Sequence, residues 1–259
     1  MSTTALKVTI FGAGSIGCYL GGQLADSGAQ VTFVGRERFR TQLAENGLTL
    51  THYAREPVHV PSDGIQFNTD TREIHDADVV LVTVKSQDTA GAGLDLNHTV
   101  NRDALIISFQ NGVGNADRLR EVMPGFTVLG AMVPFNVTST GPGEFHCGTE
   151  GDLCIEFNPS DKLMLLQSCF TQIGQGCLLS DDIAAVQWGK LLVNLNNALN
   201  ALTGSTLYAG LVQRDYRRAL ALMIEEALHV VQTAGIKPEK FGKASPEKML
   251  KILRLPNIL

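Results

Sequence analysis

An apolar run, Val8 to Phe11, leads straight into Gly12, Gly14 and Gly17. No other stretch restricts the fold of this chain as tightly as this G-x-G-x-x-G spacing at a strand-to-helix turn. Each glycine has a mechanical reason: the first permits a tight turn, the second lets backbone approach a diphosphate, and the third lets helix and strand pack closely. A helix starting there would aim its unpaired N–H groups and the positive end of its dipole at an anion. The motif therefore nominates Gly12, Ala13, Gly14, Ser15, Ile16 and Gly17 as a dinucleotide-phosphate cradle. Its surroundings agree: residues 6–11 read as a buried parallel strand, 15–27 as a helix, Gly28 as its left-handed cap and 31–34 as a second strand. This strand-helix-strand unit has the length of a right-handed crossover, about 30 residues.

The pattern continues with a short helix over 39–46 and a polar, strand-like excursion over 48–67 that has no evident partner. Residues 77–84 and 104–109 are continuous apolar runs suited to central parallel strands, and 118–123 should close a helix ahead of a strand at 127–133. Beyond Val133 the rhythm changes. Gly141-Pro142-Gly143 and Gly148 to Gly151 mark hairpins, which predicts an antiparallel extension of the sheet. A helix over 163–173 and a strand at 177–179 follow, and Ser180-Asp181-Asp182 is a helix start. The remainder reads helical, over 183–203 and 215–234, the latter with Leu220, Met223, Ala227, Val230 and Val231 at helical spacing. The expected class is α/β, a doubly wound Rossmann-type sheet with an antiparallel extension in residues 1–180, followed by an all-helical domain in 181–259.

Composition narrows the function classes. With 259 residues, 44% of them hydrophobic, the chain can bury a substantial core. No apolar run approaches the roughly 18 residues of a membrane span, and MSTTAL lacks the layout of a secretory leader. A cytoplasmic site with no membrane partner is expected. The five cysteines are scattered without C-x-x-C spacing, which points to reduced structural thiols. A net charge of −5 argues against nucleic acid, and the six histidines do not pair at metal-ligand spacing.

Cofactor preference is set at the end of the second strand. An acidic residue there, about 20 residues past the glycines, would hold a ribose 2′-OH. This chain instead has Gly35 and Arg36, and a guanidinium can pair with a 2′-phosphate that a carboxylate would repel, so NADP(H) is expected over NAD(H). The alternative is a solvated Arg36 with Glu37 in the acidic role. Lys85 and Asn111 follow two further strands at the edge where doubly wound sheets bind ligands. Lys85 offers a cation and Asn111 an amide near the nicotinamide end, although loop residues of either type also serve as caps. In the helical half, Lys190, Asn194 and Asn197 are spaced i, i+4 and i+7 and share one helix face. Such a stripe is either solvated or catalytic. A lysine could polarise a ketone oxygen and protonate the developing alkoxide, with the asparagines holding substrate, and burial would lower its pKa.

Several separated segments resemble one family. Gly12 to Gly17, Arg36, Val84-Lys85-Ser86, Gln110-Asn111-Gly112-Val113-Gly114, Gly141-Pro142-Gly143-Glu144, and Trp188-Gly189-Lys190 through Asn194 to Gly204 are similar, in this order, to the ketopantoate reductases (2-dehydropantoate 2-reductases). These are NADPH-dependent enzymes of pantothenate biosynthesis. The resemblance implies that Lys190 is the catalytic acid, Asn194 binds substrate, Asn111 bridges cofactor and substrate, and Arg36 holds the 2′-phosphate. It also implies a second substrate asparagine a turn further on; the strict position is Ala198, leaving Asn197, or alternatively Asn200. Family members continue with a further helical segment, so the substrate domain is expected to be shortened here. The implied activity is NADPH-dependent reduction of ketopantoate to pantoate. Alternatives are reduction of another small-molecule 2-keto acid or non-catalytic NADPH binding. Helix 215–234 could face a second copy in a homodimer or pack within its own domain.

Overall fold

The apolar runs become strands, and the computed structural model describes residues 5–240 and 245–257. In chain order the first part comprises β1 Lys7–Phe11, α1 Ser15–Asp26, β2 Gln30–Val34, α2 Glu37–Asn46, β3 Leu48–His52, β4 Arg55–Val60, β5 Gln66–Asn68, β6 Val79–Val82, α3 Thr89–Thr99 and β7 Leu105–Ser108. It continues through α4 Asn115–Val122, β8 Thr127–Met132, β9 Val137–Gly141, β10 Glu144–Cys147, β11 Leu153–Glu156, α5 Asp161–Gln172 and β12 Cys177–Ser180. Among the described residues these strands form an eight-stranded sheet, ordered β12-β11-β8-β7-β6-β1-β2-β5, and a four-stranded one, β4-β3-β10-β9.

Side-chain alternation explains why the large sheet is covered on both sides. Ile10, Leu81, Ile107 and Leu129 point to the face that carries Leu20 and Leu24 of α1 and Leu166 and Phe170 of α5. Their neighbours Val80, Val82, Ile106 and Val128 meet Leu96 of α3 and Leu119 of α4 on the other face. Each fully buried aliphatic side chain stabilises the fold by about 1.5–3 kcal/mol. The order reverses direction between β1 and β6, and the loops after β1, β6 and β7 all open at the same edge.

The antiparallel extension is present as β11, which runs antiparallel to β8, with β12 parallel beyond it. The hairpin β9–β10 does not join it. β10 pairs instead with β3, placing Phe145 opposite Leu50, and the unassigned excursion supplies β3 and β4 of this second sheet and β5 at the edge of the first. The physical reason is α1: Leu48 and Leu50 close over Gly22, where an added Cβ would lie 2.9 Å and 2.8 Å from their methyl groups. An apolar strand face covers the outer side of the helix.

The chain divides into units 1–181 and 182–259. The second contains α6 Ile183–Asn194, α7 Asn196–Thr203, α8 Leu207–Leu211, α9 Arg214–Thr233 and α10 Pro246–Leu253. The helices α6, α8 and α10 begin at side-chain caps: Asp182 accepts from the Ala185 amide at 3.0 Å, Thr206 from Ala209 at 3.2 Å and Ser245 from Lys248 at 3.3 Å. Leu192, Leu220, Ile224, Leu228 and Leu250 form its core. The buried stripe of α9 therefore centres on Ile224, and Val230, expected on it, is 60% exposed. The expected helix over 183–203 is interrupted at Leu195, which keeps helical dihedrals of −56° and −25°.

Candidate active site

Gly12 takes a φ of +117°, and a Cβ added there would lie 2.7 Å from the Val84 amide nitrogen. At Gly17 an added Cβ would meet the Gly12 carbonyl at 2.3 Å and Thr83 Oγ1 at 2.7 Å. Both positions exclude any side chain. Gly14 differs: an added Cβ meets nothing within 4 Å. Two glycines thus hold the loop against β6, while the third leaves open the space beside the first turn of α1. No side chain caps that helix and its first turn carries no acid, so the amides of Ser15, Ile16 and Gly17 have no partner within the helix. Amides left without partners at a helix start can accept an anion. Ala13 is buried behind it, its amide donating to the Val34 carbonyl at 3.0 Å.

Thr83 completes this loop and was not nominated from sequence. Its hydroxyl donates to the Gly12 carbonyl at 2.7 Å, and a threonine inside an apolar run gives no outward sign of such a role.

Arg36 is exposed at the N-cap of α2, with extended dihedrals of −76° and 147°. Glu37, its acidic rival, forms an ion pair with Arg40 at 2.9 Å. Gly35 lies tight against the glycine loop, since an added Cβ there would sit 2.9 Å from Ala13 Cβ. Lys85 is exposed after β6 and precedes a 3-10 turn, Ser86–Asp88. Asn111 is exposed after β7.

The loops bearing Lys85 and Asn111 are joined by a buried polar network. Gln110 Nε2 donates to Thr89 Oγ1 at 2.7 Å and to the Val84 carbonyl at 3.1 Å, while Ser108 Oγ donates to Gln110 Oε1 at 2.9 Å. Asn115 Nδ2 and Ser86 Oγ both donate to the Asn111 carbonyl, at 3.0 Å and 3.2 Å. Satisfied networks of this kind hold one conformation. Thr89 and Asn115 went unnoticed in the sequence because each lies on a different helix.

In the second unit Lys190 and Asn194 lie on α6, both half-buried, whereas Asn197 lies in the first turn of α7 and is exposed. Asn200, the other candidate, accepts from the Tyr216 hydroxyl. Trp188 packs on the core of this unit, and Gly189 admits the Glu239 carbonyl, 2.1 Å from where a Cβ would sit. Burial pushes the Lys190 ammonium from 10.5 down to about 8. At neutral pH it is therefore still mostly protonated, yet far readier to release its proton than a surface lysine.

Burial pushes the Cys18 and Cys177 thiols up to about 12, which removes them as nucleophiles. Among the described residues no group of three or more His, Cys, Asp or Glu could hold a metal, and no helix is long and apolar enough to cross a membrane.

Comparison with known proteins supplies the family. The ketopantoate reductase PanE/ApbA family matches residues 8–159, and its C-terminal part matches 182–254. A 2-dehydropantoate 2-reductase of Halobacterium salinarum is 29% identical over 237 residues, covering 89% of this chain and 77% of the relative. Among solved structures, a PanE/ApbA family ketopantoate reductase from Ralstonia eutropha is 31% identical with a TM-score of 0.83, over 96% of this chain and 80% of that one. A D-mandelate dehydrogenase solved with NADH and anilino(oxo)acetate shares the fold, at 19% identity and a TM-score of 0.77, over 96% and 79% of the two chains. With both parts of the family pattern matched along most of its length, the chain belongs to the ketopantoate reductase PanE/ApbA family of oxidoreductases.

Proposed function

We propose that this protein reduces 2-dehydropantoate (ketopantoate) to pantoate in the cytoplasm, taking a hydride from NADPH and a proton from Lys190. Lys190 carries this reading: its ammonium titrates at about 8 on the helix that also bears Asn194. The glycine loop fits the cofactor's diphosphate, because Gly14 leaves the space that a phosphate would need and the α1 amides face it unpartnered. Arg36 fits the 2′-phosphate of NADP(H), since Arg40 engages the carboxylate of Glu37 that would otherwise repel it. Lys85 adds a cation for the cofactor, and Asn111 an amide between cofactor and substrate. The bound cofactor supplies the hydride.

The remaining chemistry falls to the second unit. The Lys190 ammonium donates a hydrogen bond to the ketone oxygen, drawing electron density away from the carbonyl carbon. As a C–H bond forms there and the carbonyl π bond opens, an N–H proton of Lys190 passes to the developing alkoxide and gives the alcohol. Lys190 is left neutral and recovers its proton from solvent. Asn194 and Asn197 hold the carboxylate and hydroxyl of the substrate by their amides. Leu202 and Tyr208 are 84% and 80% exposed in this unit, and a second copy of the chain in a homodimer would cover them.

The test is NADPH oxidation with ketopantoate and with 2-ketoisovalerate, which lacks the hydroxymethyl group. The expected result is a kcat/KM for ketopantoate at least about 100-fold higher, because asparagines built to bond a hydroxyl are left unpaired without it. Equal values would reassign the protein to another 2-keto acid, and NADPH binding with no turnover on either would overturn the reductase.

A further inference from the structure

The peptide between Gly12 and Ala13 is held at both ends. Its N–H, on Ala13, donates to the Val34 carbonyl at 3.0 Å, and its carbonyl, on Gly12, accepts from the Gly14 amide and from the Thr83 hydroxyl, each at 2.7 Å. A carbonyl oxygen has two lone pairs, so this acceptor is fully used. The oxygen lies 2.3 Å from where a Cβ on the buried Gly17 of α1 would sit, and Thr83 Oγ1 stands 2.7 Å from the same point. The side chain that position 17 lacks thus makes room for the hydrogen bond. Thr83 is placed by the pairing of β1 with β6, its own amide donating to the Phe11 carbonyl at 2.9 Å.

Packing does not ask for that hydroxyl. The half-buried Thr83 follows the apolar run Val79–Val82, and a valine, β-branched and of the same shape, would fill its place without the donor. What the hydroxyl adds is electrostatic. Amides at a helix start favour an anion, whereas a carbonyl oxygen turned to the same space would repel it. Gly12, with a φ of +117° and no side chain, offers little resistance of its own to such a rotation. Gly14 belongs to the same turn and can follow the oxygen round. Thr83 stands at the end of another strand and anchors the oxygen to the sheet.

We propose that Thr83 is a positioning residue for the nicotinamide cofactor: its hydroxyl keeps the Gly12 carbonyl turned under α1, away from the diphosphate. The inference rests on the reading of the glycine loop as the diphosphate site. NADH and NADPH share the diphosphate, so Thr83 acts on affinity for both, whereas Arg36 is assigned to the 2′-phosphate alone.

Equilibrium titration of the intact chain with NADPH and with NADH, in the absence of keto acid, tests it on the parent, Thr83→Val, Thr83→Ser and Thr83→Ala. Thr83→Val should bind both dinucleotides at least about tenfold more weakly, the loss for a buried acceptor deprived of its donor. Thr83→Ser should stay within about threefold of the parent, and Thr83→Ala should fall with valine. Serine and alanine lose the same methyl and differ by the hydroxyl, so this pair reads the hydrogen bond even where valine fails to fold. In the reduction assay Thr83→Val should raise the KM for NADPH by the factor seen in titration, with kcat at saturation within about twofold.

A Thr83→Val protein that binds NADPH as tightly as the parent overturns the inference. So does a loss confined to NADPH, or a Thr83→Ser protein that binds as poorly as Thr83→Ala. A lowered melting temperature without cofactor, combined with unchanged affinity, would assign the hydroxyl to folding alone and overturns it as well. A parent that binds neither dinucleotide would overturn the reading of the glycine loop itself, and the inference with it.

Discussion

At Gly12 a single added methyl group would lie 2.7 Å from the Val84 amide, whereas at Lys190 the backbone is an ordinary helix and the proposed chemistry rests on the side chain. The first region is shaped by the absence of side chains: close approach of backbone to backbone leaves amides available to the anion proposed to bind there. The second acts through one ammonium whose proton affinity is set by burial, with 10.5 reduced to about 8. The comparison separates two kinds of sensitivity. Substitutions in the loop should disturb folding or cofactor affinity, and substitutions on α6 should disturb turnover while the fold is kept or even improved.

The largest effect is expected at Lys190. Lys190→Ala should lower kcat by about 10²–10⁴-fold, the range for loss of a positioned general acid, with the KM for NADPH nearly unchanged. A kcat within threefold of the parent would remove Lys190 from the mechanism. Next come two glycines in one loop with opposite readouts. Gly12→Ala should destabilise the fold by about 2–5 kcal/mol, from a left-handed conformation and a backbone clash together, measured by urea unfolding. Gly14→Ala should leave that stability within about 0.5–1 kcal/mol, the usual range for glycine and alanine exchanges, yet weaken NADPH binding. Equal unfolding midpoints for the two variants would sink the distinction.

Arg36→Ala should raise the KM for NADPH about 10–100-fold, the loss of charge-assisted hydrogen bonds to a phosphate, and hardly change that for NADH. Equal effects on both cofactors would make Arg36 a general surface cation.

The smallest effect sharpens the comparison through stability. Lys190 has a folded pKa of about 8 against 10.5 when free, so between these values the unfolded chain binds the extra proton and folding gains stability as pH rises. Below pH 8 both states are protonated and the full cost of burying the ammonium is present. Lys190→Met should therefore melt about 2–4 °C higher at pH 7, and the advantage should shrink as pH climbs from 8 toward 10.5. In the parent enzyme the same titration should slow ketone reduction as pH rises through 8. A melting advantage independent of pH would show that packing, not charge, is responsible.

The glycine loop and the parallel strands were legible because their signals are local: a φ above zero demands glycine, and a buried strand demands a continuous apolar run. The second sheet was not legible. β3 finds its partner β10 some ninety residues later, Leu50 opposite Phe145, and short alternating strands carry no mark of which other strand completes them. The buried face of α9 was misjudged at Val230 because helical spacing alone allows neighbouring stripes, and the choice belongs to Leu192 and Leu250 of the surrounding helices. The network through Thr89, Gln110 and Asn115 joins three elements, and nothing in any one of them announces the other two.

What the sequence by itself determined is where backbone must bend, which segments must be buried, and which residue types stand at the ends of strands. These follow from sterics and hydrophobic period within a few neighbouring residues. What only the tertiary structure decided is the partner of the β3–β4 hairpin, the occupation of Glu37 by Arg40, the hydrogen bond from Thr83 to the Gly12 carbonyl and the lowered proton affinity of Lys190. Each depends on desolvation and on groups brought close from elsewhere in the chain, and those quantities come into existence when the chain has folded.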